Sequence, residues 1–332
     1  MKRPLALMFA FLLISCGGNP ASPAPTEPVS SLVAESTPEP LPPQPAADDF
    51  IIVGYFPDYR ELNPAWALSV TDIIYFSAEP RADGTLDTSR LTEETWSALA
   101  QLKSDHNLRI HISIGGWERD GAFSEMSADP VLRAVFVEEL LAFLLSHNLD
   151  GADFDWEFPA TDTQFENYIS LLAETREALS AHGLLVSVAL PAESDFPLDE
   201  FSVVDRVHLM SYDRGERHST YEQAVEDVQA FLDAGIPPGK LILGMPFYGR
   251  TVAPPHDEFS YAELMNDHSP APEADEVNGV YFNGLTTIRR KVCFGIAEEL
   301  GGFMVWELSQ DTRDASSLLF QIFNLVSGKE PC

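Results

Sequence analysis

Apolar residues along this chain fall into two rhythms. Short runs rich in β-branched and aromatic residues recur at Ile51–Phe56, Ile73–Ser77, Arg109–Ile114, Gly151–Trp156, Leu184–Leu190, Arg206–Tyr212, Lys240–Phe247 and Gly302–Leu308. Each reads as a strand. Between several of them the apolar spacing lengthens to the helical period. Thr92 is placed to cap a helix from Glu93 to Ser104, and Asp129-Pro130 is a cap and first-turn pair ahead of Val131–His147. Further helices are predicted over Phe165–His182, Tyr221–Ala234, Leu285–Leu300 and Ala315–Val326. Strands alternating with helices imply a parallel sheet. Eight such units in about 280 residues predict an α/β fold, a (β/α)8 TIM barrel, rather than an open sheet. Nothing demands a second folded domain, and the expected folded unit is residues 49–328. In such barrels the chemistry sits at the C-terminal ends of the strands.

The first 48 residues break this pattern. Lys2 and Arg3 precede about ten apolar residues, Leu5–Ile14, where a membrane span needs about 20. Residues 1–15 therefore read as a signal peptide. The run Leu13-Ile14-Ser15-Cys16-Gly17 resembles a bacterial lipobox, which implies cleavage before Cys16 and lipid on its sulfur. The alternative is an ordinary signal peptide with an incidental cysteine. Residues 16–48 carry Pro20, Pro23, Pro25, Pro28, Pro38, Pro40, Pro42, Pro43 and Pro45 among Ser, Thr, Ala and Glu, the composition of an extended tether reaching on the order of 100 Å. A folded unit displayed on the bacterial cell envelope, at the outer membrane, or secreted is the expectation.

Charge narrows the partners. Twenty Lys and Arg stand against 52 Asp and Glu, a formal net charge of −32. Such a chain repels nucleic acid, whose binding requires phosphate neutralisation, and an anionic membrane surface. Membrane contact is expected only through the lipid anchor, and a monomer is expected. Cys293 and Cys332 match no zinc spacing, so no metal or other cofactor is expected; whether the two pair is open at this point.

The fourth strand carries the candidate chemistry: Leu149-Asp150-Gly151-Ala152-Asp153-Phe154-Asp155-Trp156-Glu157-Phe158-Pro159. Strand side chains alternate, so Asp153, Asp155 and Glu157 point the same way, into the barrel, with Glu157 uppermost. Like charges at close range push one pKa up, and a carboxyl that stays protonated near neutrality is a general acid. A solvated acidic loop would not alternate through apolar residues, and the spacing lacks the glycine turn of a calcium loop.

The string Asp-Gly-x-Asp-x-Asp-x-Glu resembles the signature of glycoside hydrolase family 18, the chitinase-like enzymes. Ser113-Ile114-Gly115-Gly116-Trp117, Met210-Ser211-Tyr212-Asp213, Pro246-Phe247-Tyr248-Gly249-Arg250 and Trp306 in Met304-Val305-Trp306-Glu307 resemble the family's motifs on the third, sixth, seventh and eighth strands. The resemblance implies substrate-assisted hydrolysis, with the substrate's own N-acetyl group as nucleophile and retention at the anomeric carbon. Glu157 would protonate the glycosidic oxygen and then activate water. Asp155 would hydrogen-bond the acetamido N–H and stabilise the oxazolinium. Asp153 would share a proton with Asp155, and Tyr212 would hold the acetamido oxygen. Trp306 would floor the cleavage site, with Met210, Tyr55 and Phe76 lining it and Asp213 bonding the sugar. Trp117 would stand on the leaving-group side, and Tyr248 and Arg250 would contact substrate. Asp150 is expected to be structural support, Gly115 and Gly116 to permit close backbone approach, and Arg214 and Arg217 to contact substrate or form salt bridges.

Two features depart from the family pattern. Ala152 stands where a larger apolar residue is usual. The segment Thr251–Gly284, with Pro254-Pro255 and Pro270–Pro272, reads as loop and is too short for the α+β domain many chitinases insert there. A shallower cleft is expected. The leading expectation is an endo-acting chitinase on β-1,4-linked N-acetylglucosamine polymers. An endo-β-N-acetylglucosaminidase acting on N-glycan or peptidoglycan-type substrates is the alternative, and a non-catalytic chitin-binding lectin on the same fold is a third.

Overall fold

The computed structural model describes residues 50–194 and 196–332. Cys16, the signal segment and the tether lie outside the described residues. Eight parallel strands close on themselves: β1 (Ile51–Pro57), β2 (Asp72–Pro80), β3 (Arg109–Gly115), β4 (Gly151–Asp155), β5 (Leu185–Pro191), β6 (Arg206–Met210), β7 (Leu241–Pro246) and β8 (Gly302–Trp306). Closure is made by β1 lying between β8 and β2, with Val53 opposite both Met304 and Asp72. All eight strands coincide with runs read from the sequence.

The helices are α1 (Glu93–His106), α2 (Phe123–Ala128), α3 (Pro130–Ser146), α4 (Asp162–Ser180), α5 (Tyr221–Asp233), α6 (Tyr261–His268), α7 (Leu285–Ala297) and α8 (Leu318–Val326). The side chain of Thr92 accepts from the Thr95 amide and that of Asp129 from the Val131 amide, so both predicted caps form. After β1 and β5 the barrel carries only 3-10 turns, Pro64–Leu68 and Leu198–Val203. The segment after Arg250 differs from the expected loop. It folds as a small antiparallel sheet, Glu258–Ser260, Tyr248–Thr251, Val280–Tyr281 and Glu276–Val277, with α6 packed alongside. Asn278 and Gly279, both at positive φ, turn the last hairpin, and Ser260 and Glu263 form a capping box that starts α6.

Alternation sorts the strand residues into two cores. Phe154, Ile112, Val188, Leu209 and Val305 point outward and pack with Phe136, Leu140 and Leu171 of the helices, each buried side chain contributing about 1.5–3 kcal/mol. Ala152 lies in that outer layer, fully buried. The inward set is smaller and mixed. Val53, Tyr55, Ile74, Phe76, Ile242 and Met304 form its apolar part. At the N-terminal end, Asp72 accepts from both Arg109 Nε and Nη2 at 2.8 Å and from Arg206 Nη1 at 2.7 Å, with His111 Nε2 at 2.9 Å. Burial opposes its charge, but hydrogen bonds from His111 and Arg109 hold its carboxyl well below the usual range.

The chain end is fastened as well. Cys293 of α7 and Cys332 form a disulfide, Cα–Cα 5.4 Å, and Glu330 pairs with Arg289. Among the described residues no helix is long and apolar enough to cross a membrane.

Removing one partner of a buried ionic group strands the others. Asp72→Asn is expected to destabilise the protein by about 3–5 kcal/mol at pH 7 in urea unfolding. Because the folded-state pKa of Asp72 is depressed, its stabilisation is complete above about pH 4 and fades as pH falls further; the gap between wild type and variant should close with it.

Candidate active site

Strand β4 delivers its carboxylates at three heights. Asp153 is deepest, wholly buried mid-barrel. It accepts from Tyr55 Oη at 2.6 Å and Ser187 Oγ at 2.6 Å, with His208 Nδ1 at 3.0 Å. Asp155 stands one rung higher, also buried, and its Oδ1 has no protein hydrogen-bond partner. Glu157 follows the strand end at the mouth, its backbone N–H donating to Asp120 Oδ2 at 3.2 Å. Asp153 therefore takes its partners from β1, β5 and β6, and no hydrogen bond joins it to Asp155 in this structure.

The environments drive the three apart. Burial raises the Asp153 pKa, but His208, Ser187 and Tyr55 outweigh it and leave the carboxyl below its ordinary value. Asp155 is pushed well up by burial, then by the charges of Glu157, Asp153 and Asp120. Glu157 is pushed up to about 7, by burial first and then by Asp120 and Asp213. Tyr212 is held as a neutral phenol by burial and by the same carboxylates, Asp155 foremost.

Above the row opens a cleft of about 760 Å3 at the C-terminal face. Trp306 lies in its floor, with its ring 5.5 Å from Tyr55 and 4.9 Å from Phe76, edge-on to the latter. Met210, Tyr212, Asp213 and Tyr248 line it too. Trp117, 65 % exposed, and Tyr59, 60 % exposed, stand at the lip. Asp213, at positive φ, is braced by Tyr248 Oη at 2.8 Å, Arg250 Nη1 at 2.9 Å and His218 Nδ1 at 3.3 Å. Arg250 stands behind Asp213 and is not among the residues lining the cleft.

The supporting residues are placed as follows. Asp150 accepts the Ile110 amide at 2.7 Å and pairs with Lys103. At Gly116, φ +91°, a Cβ would come within 2.2 Å of the Phe76 ring and 3.0 Å of Asp155 Oδ2. Arg214 lines the cleft and is anchored to Asp227 on α5, and Arg217 pairs with Glu276.

The sequence reading missed His208, Ser187, Asp120 and Arg119. His208 and Ser187 were legible: His208 sits two residues before Met210, and Ser187 two before Ala189, on the inward side of their strands. Asp120 and Arg119 lie in the loop after β3, where no period applies. Arg119 pairs with Asp58 at 2.8 Å and stacks over Phe76 at 4.8 Å, tying three strand ends together.

Carboxyl groups whose pKa values are driven apart along a strand leading to the C-terminal face of a TIM barrel have the arrangement of an acid–base site. The pattern of the glycosyl hydrolases family 18 matches residues 51–311, and the chain belongs to that family, a glycoside hydrolase by membership. It is 27 % identical to Chitinase 1 of Aphanocladium album, over 78 % of this chain and 80 % of that protein. It is 26 % identical to Chitinase A1 of Niallia circulans over 69 % of this chain, and spans 46 % of that longer protein. The crystal structure of the chitinase ChiB of Flavobacterium johnsoniae superposes with TM-score 0.73 at 27 % identity, covering 83 % of this chain and 93 % of that one.

The raised Glu157 carboxyl has a stability signature. Its folded-state pKa of about 7 exceeds the ordinary 4.5, so its cost is absent below about pH 4.5 and grows as pH rises toward 7. Allowing for partial exposure, the cost is about 2 kcal/mol. Glu157→Gln should raise Tm by roughly 3 °C at pH 8 and leave it unchanged at pH 4, read by differential scanning calorimetry.

Proposed function

We propose that this protein is a chitinase that cleaves β-1,4-linked N-acetylglucosamine chains internally, with retention, by substrate-assisted catalysis. The observation that carries the reading is the geometry of the acid row: Glu157, its carboxyl pushed up to about 7, lines the cleft together with the buried Asp155, whose Oδ1 has no hydrogen-bond partner. Glu157 is a general acid at neutrality and, once it has given its proton, a base for water. Asp155 Oδ1 accepts the acetamido N–H of the bound sugar, which turns the acetamido oxygen toward the anomeric carbon. The neutral Tyr212 hydroxyl donates to that same oxygen. Attack forms the oxazolinium, whose positive charge lies over the carboxylates of β4. Holding an intramolecular nucleophile in line contributes several kcal/mol, on the order of the gains seen for oriented groups. The Trp306 ring supports the sugar's C–H face, Tyr55, Phe76 and Met210 shape the pocket, Asp213 bonds the sugar, and Trp117 receives the leaving-group side.

From the small sheet only Tyr248 and Glu258 line the cleft, which keeps the second reading in play, an endo-β-N-acetylglucosaminidase on N-glycan or peptidoglycan-type substrates. Incubation with chitotetraose and chitohexaose separates the two. NMR of the products should show initial β-anomer, kcat/KM falling above pH about 7, and loss of about 10²–10⁴-fold in Glu157→Gln. Cleavage of a high-mannose glycopeptide but not of chitotetraose would favour the second reading. Binding of oligomers without turnover of any would point to a lectin.

Display on the cell envelope through lipid at Cys16 belongs to the same proposal. Metabolic labelling with a palmitate analogue should mark the wild-type protein and leave Cys16→Ala unlabelled; equal labelling of both would refute the anchor.

A further inference from the structure

One fully buried cation has no part in the proposed chemistry. Lys291, on α7, is 0 % exposed. Its Nζ donates to Ser219 O at 2.9 Å, to Ser219 Oγ at 2.7 Å and to Asn283 Oδ1 at 2.8 Å. Three acceptors match the three hydrogens of an ammonium, and all three are uncharged. Burying a charge is costly unless it is paired and hydrogen-bonded, and an apolar side chain would carry no such cost. Burial pushes the amine down to about 7, against the pull of Asp227, Asp275 and Glu222. What Lys291 holds is the loop that follows β6, residues 211–220. Ser219 Oγ donates on to Ser211 O at 2.7 Å, and Asn283 Nδ2 donates to Ser219 O at 2.7 Å. Ser211 Oγ donates to Asp227 Oδ2 at 2.6 Å. The two ends of the loop are thereby pinned to each other, to α5 and to α7. Between them lie Tyr212, Asp213 and His218, with His218 O accepting the Arg214 amide at 3.2 Å.

We propose that Lys291 is a positioning residue for the cleft: acting through Ser219, it holds the loop after β6 in the shape that presents Tyr212 and Asp213 to the substrate. The inference rests on the substrate-assisted reading above. Its reach extends to the general acid, because the charge of Asp213 helps to raise the Glu157 pKa. That link is one of position. Glu157 is governed by burial, Asp120 and Asp213, and Lys291 is not among the groups that shift it. The titratable and charged groups facing Lys291 are Asp227 and Glu222 from α5, Asp275 from the segment ahead of the last hairpin, and His218 from the loop itself, whose pKa Lys291 helps to lower.

The test uses the whole chain with chitotetraose as substrate. Lys291→Met keeps an unbranched side chain and removes its donors. At pH 6, where the amine is charged, kcat should fall about tenfold with KM within about threefold. The alkaline limb of kcat/KM, which reports Glu157, should move down by about half a pH unit, since a displaced Asp213 raises Glu157 less. Loss of a cation by itself acts the other way and raises a carboxyl, so the sign of the shift separates displacement from charge. Ser219→Ala keeps Lys291 and the backbone acceptor, and should move kcat and the limb in the same directions by less. Hydrogen exchange read by mass spectrometry needs no turnover: residues 211–220 should exchange about tenfold faster in Lys291→Met, with β4 at its wild-type rate. Unchanged kcat, limb and loop exchange in whichever variant folds, with only a lower Tm, would make Lys291 a packing residue and overturn the proposal. Absence of turnover on every N-acetylglucosamine oligomer, with faster loop exchange in a variant, would overturn the functional reading while supporting the hold of Lys291 on the loop.

Discussion

Everything in this molecule answers to the crowding of carboxyl groups along one strand. Asp153, Asp155 and Glu157 project into a space only a barrel's width across, the first two of them buried. Three like charges cannot coexist there. The fold resolves the conflict by grading the environment along the strand: saturating donors at the bottom, none in the middle, and partial access to solvent with two further carboxylates nearby at the top. An ordinary set of acids is thereby spread apart: Asp153 is lowered, Asp155 is raised, and Glu157 is pushed up to about 7.

The remaining polar groups inside and around the barrel serve that gradient. Asp72, held by Arg109, Arg206 and His111, closes the N-terminal end as an ion-paired plug below the carboxylates of the row. Tyr248, Arg250 and His218 fix Asp213 in a left-handed backbone conformation at the rim. From there its charge helps lift the Glu157 pKa. Arg119, threaded between Asp58, Ser77 and the Phe76 ring, knits the ends of the first three strands, where only a 3-10 turn follows β1.

The barrel was legible because its strands are buried on both faces and carry dense apolar runs, and the acid row because its period of two is uninterrupted. What escaped the sequence reading escaped for identifiable reasons. The segment after Arg250 was read as loop on its prolines, yet Val277-Asn278-Gly279-Val280 is a strong local signal for a two-residue hairpin. His208 was hidden by its neighbours: within Arg206–Tyr212 attention goes to Met210 and Tyr212, although the same alternation turns His208 inward. Asp120 could not be found that way, since its approach to the Glu157 amide comes from a loop fold between β3 and α2. The disulfide needed the path of α7 to bring Cys293 within 5.4 Å of the chain end.

The direction of β1 has a consequence for geometry at a larger scale. Residue Ile51 begins the strand at the plugged end of the barrel, beside Gly302, while the cleft opens where the same strand finishes. The polypeptide therefore enters the folded unit on the pole opposite its mouth. The open pole is thereby left free of the residues at which the described chain begins.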